Sequence, residues 1–541
     1  MASAMGIGST SASDDETVRP KTPDSQPRSR SVVSLLFDHT RIDDAVENYD
    51  YPGNGTLEDP YVVSWIPQDA GNPLNWPKSL KWVITMVSAA TSFAVAFSSS
   101  VYTGTVRELM VHFDASNTLI TAGVSLYVLG FAVGPLLWAP LCEIYGRQLI
   151  FLISYGLYVV FSAACTADHT IATLLVLRFF CGTFGSSPLS NAGGVISDIF
   201  KPQERAIAMG LFSIAPSFGP TLGPFIGGYL GAGHGWRWVM GLIAIIAGAF
   251  WLLDMCTVPE TYAPYLLDNR AKALSNKTGK VYKSIYEQQG KANPPSVILK
   301  KALIRPWLLL FVEPIVLLLS TYTAILFGTL YMLFGAYPVV FQVERGWSAG
   351  NGGLAFIGVA VGMLSAIPAM AVINRWYVKA AERAKGEPVP PEARLPGCML
   401  GGICVPVGMF WFAWTTYTSV HWFSPVAAGA PFGFGMSLIF QSIFTYLIDS
   451  YTIYAASVLA ANTVLRSLFG AAFPLFTRQM YDSLGTQWAS SVPAFLSLAC
   501  LPMPFVFYKY GPAIRQRCKY SAKAAQATAK AAQATASAPR A

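Results

Sequence analysis

Residues 213–231 read SIAPSFGPTLGPFIGGYLG. The stretch is apolar enough to enter lipid, yet it holds Pro216, Pro220 and Pro224 together with Gly219, Gly223, Gly227, Gly228 and Gly231. Both residue types weaken helices, so their density in one spanning segment needs a reason. Steps of four drift only ~40° per turn in an α-helix. Gly219, Gly223, Gly227 and Gly231 therefore make one slowly winding stripe, and Pro216, Pro220, Pro224 and Gly228 make a second beside it. Such stripes let another backbone come close. Each proline also frees the carbonyl four residues earlier, at Phe212, Pro216 and Pro220, and lipid cannot satisfy these groups. The stretch predicts a tight, bent seam against a neighbouring span, which closes a cavity to ion leak. Plain helix packing is the alternative.

The chain around it is a membrane protein by composition. Of 541 residues, 53% are hydrophobic and 12% charged, against about 25% charged in soluble domains, and mean hydropathy is +0.43. A hydrocarbon core of ~30 Å takes ~20 apolar residues per helix. Runs of that kind lie near 80–103, 118–140, 149–166, 171–193, 206–232 and 236–257, then near 312–335, 351–373, 395–416, 424–446, 455–477 and 488–508. Their length excludes a β-barrel. The reading is all-α and integral to the membrane, with twelve spans in two six-helix halves, 80–257 and 312–508. Segment 1–79 is expected to be a largely disordered tail, 258–311 a central loop and 509–541 a second tail.

Lys and Arg set the orientation. They crowd 258–305, the loop after the eighth span (Arg375, Lys379, Arg383, Lys385, Arg394) and the C-terminal tail, while the opposite loops offer Arg107, Arg345 and Arg478. Both termini are expected in the cytoplasm. The net charge of +8 then reports topology and anionic head groups, and nucleic acid is not an expected partner. Asn54 and Asn276 sit in glycosylation triplets, but on this topology both are cytoplasmic and read as chance. Eight cysteines without a CxxC pattern and five histidines without paired spacing argue against a disulfide framework or a metal site. No phosphate-binding GxxxxGK[ST] loop is present, so no cofactor is expected, and a proton gradient is the expected energy source.

The halves repeat. Gly130–Arg147 and Gly358–Arg375 share G-x-A-V-G-x-L-x-x-x-P, each with an Arg seven residues after the Pro. Gly182 precedes Asp198 by the sixteen residues that separate Gly433 from Asp449. Duplicated six-span halves imply a transporter that rocks one half against the other.

PLCEIYGR (140–147), LRFFCGTFGSS (177–187), SFGPTLGPFIGG (217–228), PETYAPYLLDNRA (259–271), PPEARL (390–395) and NTVLRSLFGAAFPLF (462–476) resemble the major facilitator superfamily, and within it the fungal twelve-span drug:proton antiporters. The resemblance spans about residues 61–517 and implies the major facilitator fold and proton-driven export of small organic compounds from the plasma membrane. It implies a conformational latch of Glu143, Gly146, Arg147, Asp198 and Arg205, with Lys201 near it. Ala371 stands where the second half would carry the counterpart of Glu143, so the latch reads as degraded there.

Three charged residues are candidates for work inside the membrane. Arg178 either faces the interior or snorkels outward. Arg466 is deeper, with an electrostatic role toward anionic cargo or a carboxylate. Glu313 is the candidate for proton coupling, with a plain helix-start carboxylate as its alternative. By depth, Tyr127, Asn191, Tyr331, Phe356, Gln441 and Asn462 are candidate cargo contacts. A monomer that exports amphipathic small molecules in exchange for protons is expected. A carrier of one metabolite, such as a polyamine or organic acid, is the alternative. A receptor is the remote one, since neither tail offers a signalling domain, and no enzyme chemistry is evident.

Overall fold

The computed structural model describes residues 32–38, 42–288, 294–383 and 389–526. Ten helical runs in it are long and apolar enough to cross a membrane. The longest, Phe423–Leu484, holds a short helix, Phe423–Ala427, and two long ones separated by a 3-10 turn at Thr452–Tyr454. Together with the proline-rich helix Pro202–His234, twelve spanning helices result: α1 Lys78–Val101, α2 Asn117–Tyr145, α3 Arg147–Ala164, α4 Ile171–Ile199, α5 Pro202–His234, α6 Trp236–Thr257, α7 Pro314–Tyr337, α8 Ile357–Arg383, α9 Pro396–Trp414, α10 Gly429–Tyr451, α11 Ala455–Leu484 and α12 Thr486–Cys500. An even number of passes puts both ends of this bundle on one side, the terminal face. The other side is the distal face.

Local chemistry sets the helix ends. The hydroxyls of Ser116 and Thr170 cap α2 and α4 by accepting from Leu119 N and Thr173 N. Single glycines turn the chain between consecutive helices: Gly235 (φ +89°) joins α5 to α6, and Gly485 (φ +75°) joins α11 to α12. These left-handed positions suit glycine, and they fall at the same rank in each half. The duplication thus reaches into the turns.

Packing within each half follows the repeated glycines. A Cβ on Gly130 would stand 2.8 Å from Gly182 Cα, so α2 and α4 meet backbone to backbone. In the second half a Cβ on Gly362 would stand 2.9 Å from Ala430 Cα, and one on Gly433 would stand 3.2 Å from Met363 N, so α8 and α10 meet the same way. The four glycines shared by the two sequence segments, and the Gly182–Gly433 pair, are therefore close-approach positions.

The terminal face departs from the sequence expectation. Segment 1–79 was to be largely disordered, but residues 42–77 fold. Residues 1–31 lie outside the described residues. Strand β1 (Tyr61–Val63) pairs in parallel with β2 (Tyr282–Ser284) of the central segment. A small core of Val46, Tyr51, Val63, Leu267, Ala271 and Leu274 joins them to helix Ala263–Thr278. Arg270 forks onto Asp69 at 2.5 and 3.3 Å, both side chains nearly fully buried, and its guanidinium lies 4.8 Å from the Trp65 ring. The polar composition of 1–60 hid this layer because its few apolar residues find their partners some 200 residues away. The central segment is likewise helical over much of its length, at Ala263–Thr278 and Pro295–Val312.

Removing one member of a buried pair strands the other's charge. Arg270→Ala is predicted to cost about 3–5 kcal/mol and to open residues 42–77 to limited proteolysis, while the spanning bundle stays intact. Wild-type protease resistance in the variant would contradict this.

Candidate functional site

The two stripes of α5 have different partners. The glycine stripe packs on α1 of its own half: a Cβ on Gly219 would stand 2.7 Å from Phe97 N, and one on Gly223 would stand 2.6 Å from Val101 N. Gly104, just beyond α1, continues the contact, since its Cβ would lie 2.9 Å from Gly227 Cα. The second stripe crosses to the other half. A Cβ on Gly228 would stand 2.8 Å from Gly350 N, and one on Gly353 would stand 2.6 Å from Phe225 N, beside Pro224. Tyr229 donates to Asn351 Oδ1 at 2.5 Å. Helix Ala349–Leu354, which leads into α8, is thus held against α5 near the distal face. The expected seam exists, and its Pro224–Gly228 part joins the halves. Despite three internal prolines, α5 runs as one 33-residue helix.

Two further inter-half contacts lie one at the distal end and one near mid-depth. Ser99 of α1 and Tyr331 of α7 share a hydrogen bond of 2.8 Å. A Cβ on Gly470 of α11 would lie 3.1 Å from Val128 of α2.

Arg178 does not snorkel. It is 1% exposed and donates to the carbonyls of Ser98 (3.0 Å), Gly123 (3.2 Å) and Ser99 (3.4 Å). Its guanidinium lies between the rings of Tyr102 and Tyr127, at 4.5 and 4.6 Å. Three carbonyls and two π-faces replace water, so Arg178 braces α1, α2 and α4. Tyr127, a candidate cargo contact, belongs to this brace, with its hydroxyl on Val95 O.

Arg466 has no such shell. It lies roughly 16 Å along α11 from Ala455, at 1.5 Å per residue, near mid-depth. Gly470, one turn on and on the same face, touches the N-terminal half, so Arg466 points toward that half too. Its guanidinium lies 4.7 Å from the Phe327 ring and 5.7 Å from both Phe440 and Phe444. Its Nε is buried without a hydrogen-bond partner, although the residue as a whole is half-buried. The residue thus keeps some exposure, on the helix face that is turned toward the N-terminal half.

The other candidates sort by their partners. Asn462 is buried and donates to Thr323 and Ser320 hydroxyls at 2.8 and 3.2 Å, tying α11 to α7. Phe356 is 1% exposed and packs on Tyr337, ring centroids 4.3 Å apart, inside the C-terminal half. Asn191 is buried with Nδ2 unpartnered, and Gln441 is half-buried on α10. Glu313 is fully buried, and both its oxygens are engaged: Tyr451 donates from its hydroxyl and Tyr520 from its backbone N–H, each at 2.8 Å. The carboxylate thus ties the terminal ends of α7 and α10 to the segment after α12, away from Arg466. Its proton-coupling role gains no geometric support.

The latch is present and differs in membership. Arg147 Nε meets Asp198 Oδ2 at 2.6 Å, with Thr261 donating to the same oxygen. Glu143 makes no hydrogen bond with this pair and is exposed, but it stands close enough for the Arg147 charge to act on it, at the edge of the same cluster. The second carboxylate of the cluster is Glu260, which accepts from the backbone N–H groups of Gln148, Thr261 and Tyr262. Gly146 (φ +85°) must be glycine on two counts, since a Cβ would also stand 2.9 Å from Glu260 Cδ. Tyr262 lies under the Arg147 guanidinium at 5.2 Å, and burial pushes its phenol up to about 12, so it stays neutral. Arg205 donates to Ser197 O at 2.9 Å, and Lys201 is an exposed residue at the start of α5.

The second half keeps its own latch, contrary to the reading from Ala371. Arg394, at the start of α9, meets Asp449, at the end of α10, at 2.9 Å, just as Arg147 of α3 meets Asp198 of α4. Tyr377 lies 3.4 Å from the Arg394 guanidinium, and Glu392 holds Arg515 through two bonds of 2.8 and 3.0 Å. Arg375, the residue in register with Arg147, is exposed. Spacing pointed to the wrong arginine because the loop before α9 is longer than the single-residue turn before α3. Asp449 is the residue that the equal Gly-to-Asp separations put in register with Asp198.

Gly223→Leu is predicted to abolish transport while the protein is still made, since the side chain would displace α1 backbone. Gly210→Ala on the same helix meets nothing within 4 Å and is predicted to transport normally, with a helix about 1 kcal/mol more favourable. Equal transport by both variants would remove the seam from the account.

Comparison with known proteins follows the geometry. The family model described as Major Facilitator Superfamily matches residues 88–474. The chain is 57% identical over 478 residues to the "MFS-type efflux pump MFS2" of Trichophyton rubrum, covering 88% of this chain and 80% of that one. It is 53% identical over 505 residues to the "Major facilitator superfamily multidrug transporter mdrA" of Aspergillus fumigatus, covering 93% and 83%, and 47% identical over 512 residues to the "Efflux pump FUBT" of Fusarium oxysporum, covering 94% and 86%. Among solved structures, the proton:xylose symporter XylE bound to 6-bromo-6-deoxy-D-glucose superposes with a TM-score of 0.55 at 17% identity, over 80% of this chain and 96% of that one. Two six-helix halves, joined by small-residue contacts and latched by paired Arg–Asp bridges, carry a sequence that matches the family over most of its length: the chain belongs to the Major Facilitator Superfamily.

Proposed function

We propose that this protein is an efflux antiporter of the fungal plasma membrane, which exports small amphipathic organic compounds in exchange for protons, as a monomer with both termini in the cytoplasm. The observation that carries the reading is the distribution of contacts between halves. The close ones named above, Gly228 with Gly350, Pro224 with Gly353 and Ser99 with Tyr331, lie toward the distal face. With the terminal face cytoplasmic, as the Lys and Arg distribution supports, this arrangement is closed outward. Rocking the halves would part these contacts and expose the space beneath them to the exterior. The relatives' names, efflux pump and multidrug transporter, support export as the direction.

The latch pairs support the same cycle. Arg147–Asp198 and Arg394–Asp449 each join consecutive elements within one half. They stiffen each half as a unit, which rigid-body rocking requires. Arg147 and Asp198 are mostly buried, 14% and 18% exposed, so removing either one would strand the other's charge.

In proteoliposomes with an acid interior, uptake of exported compounds is predicted to follow the imposed pH gradient and to stop when an ionophore collapses it. Uptake indifferent to that collapse would contradict proton exchange.

A further inference from the structure

Arg466 is a cation that this fold encloses without compensating. A charge at mid-membrane costs ~2.5–3.5 kcal/mol even on insertion scales. Arg178 shows how the same chain offsets that cost, with three carbonyls and two tyrosine rings. Around Arg466 there are three phenylalanine rings, an Nε without a hydrogen-bond partner, and no paired carboxylate among the described residues. The Tyr331 hydroxyl is engaged with Ser99. The rings hold the guanidinium's faces at a fixed place, and they offer its edge no acceptor.

A guanidinium edge with free N–H groups fits a planar oxyanion, which it grips with two parallel hydrogen bonds. The rings beside it fit a flat apolar body. We propose that Arg466 is an anion-recognition group for cargo, and that the compounds this protein exports include small organic acids. The carboxylate, or an equivalent planar oxyanion, sits on the guanidinium, and the hydrophobic remainder packs against Phe327, Phe440 and Phe444. The proposal rests on the transport reading and narrows its substrate class. It also explains why the arginine is left unpaired: a resident acceptor would compete with the cargo.

The test compares para-butylbenzoate with its neutral isostere para-butylbenzamide. Binding of each to the purified full-length protein is measured by calorimetry, well above the pKa of the acid. The wild type is expected to prefer the benzoate by about tenfold or more, the size of a charge-assisted hydrogen bond. Arg466→Gln is expected to level the two affinities, and Arg466→Lys to restore part of the preference, since it keeps the charge and loses the fork. Equal wild-type affinities, or an undiminished preference in Arg466→Gln, would overturn the proposal. If Arg466→Gln is not recovered folded, the wild-type ratio decides alone. Vesicle transport separates the two levels. Export of neutral compounds with no preference for the acid overturns the anion site and leaves efflux standing. A firm binding preference with no movement of either compound supports the site and overturns efflux.

Discussion

Backbones in this protein approach one another so closely that side chains must be absent. Within the N-terminal half, Gly130 and Gly182 bring α2 onto α4, and Gly219, Gly223 and Gly227 bring α5 onto α1. Within the C-terminal half, Gly362 and Gly433 do the same for α8 and α10. Lipid gives helices little hydrophobic reason to associate, so close van der Waals packing has to supply it. The same device is used once more between the halves, where Gly228 and Gly353 seat α5 against the start of α8. There it serves a contact that must part and re-form. Flat small-residue surfaces suit that, because they separate without rotamer rearrangement.

The two intramembrane arginines show how environment decides the meaning of one residue type. Arg178 has lost water and gained a full set of acceptors and π-faces, so it is structural. Arg466 is half-buried, and it has gained three rings and no hydrogen-bond acceptor. The latch arginines at the terminal face differ from both, since each holds an aspartate at partial exposure. Glu313, buried and engaged by Tyr451 and Tyr520, shows that a carboxylate at the start of a span is as readily a fastening point as a proton carrier.

Much of this was legible beforehand, for identifiable reasons. Apolar runs report spans because hydrocarbon imposes length, and glycine at a repeated spacing reports close approach because nothing larger fits. Gly219, Gly223 and Gly227 were readable on that ground, whereas Gly130, Gly182, Gly362 and Gly433 were readable only as marks of the repeat. Glu260 and Arg394 were visible as motif residues, but Gln148 and Asp449, which they meet, lie tens of residues away; the resemblance pointed to Glu143 and the repeat spacing to Arg375, and both stand exposed. Depth singled out Tyr127, Phe356 and Asn462 and said nothing of the direction each side chain takes. The folded layer around Arg270 and Asp69 was illegible because it joins two polar segments separated by the whole N-terminal half.

The central claim is that the small-residue contact between α5 and the start of α8 closes the distal face and must open in every cycle. Tyr229 and Asn351 meet across it. With the exposed Cys256 replaced by Ser, Tyr229→Cys and Asn351→Cys should form a disulfide under mild oxidation. Transport in the same vesicles is then measured before and after reduction. The account predicts that the cross-linked protein does not transport and that reduction restores it. Equal transport by the cross-linked and reduced forms would mean that this contact never parts.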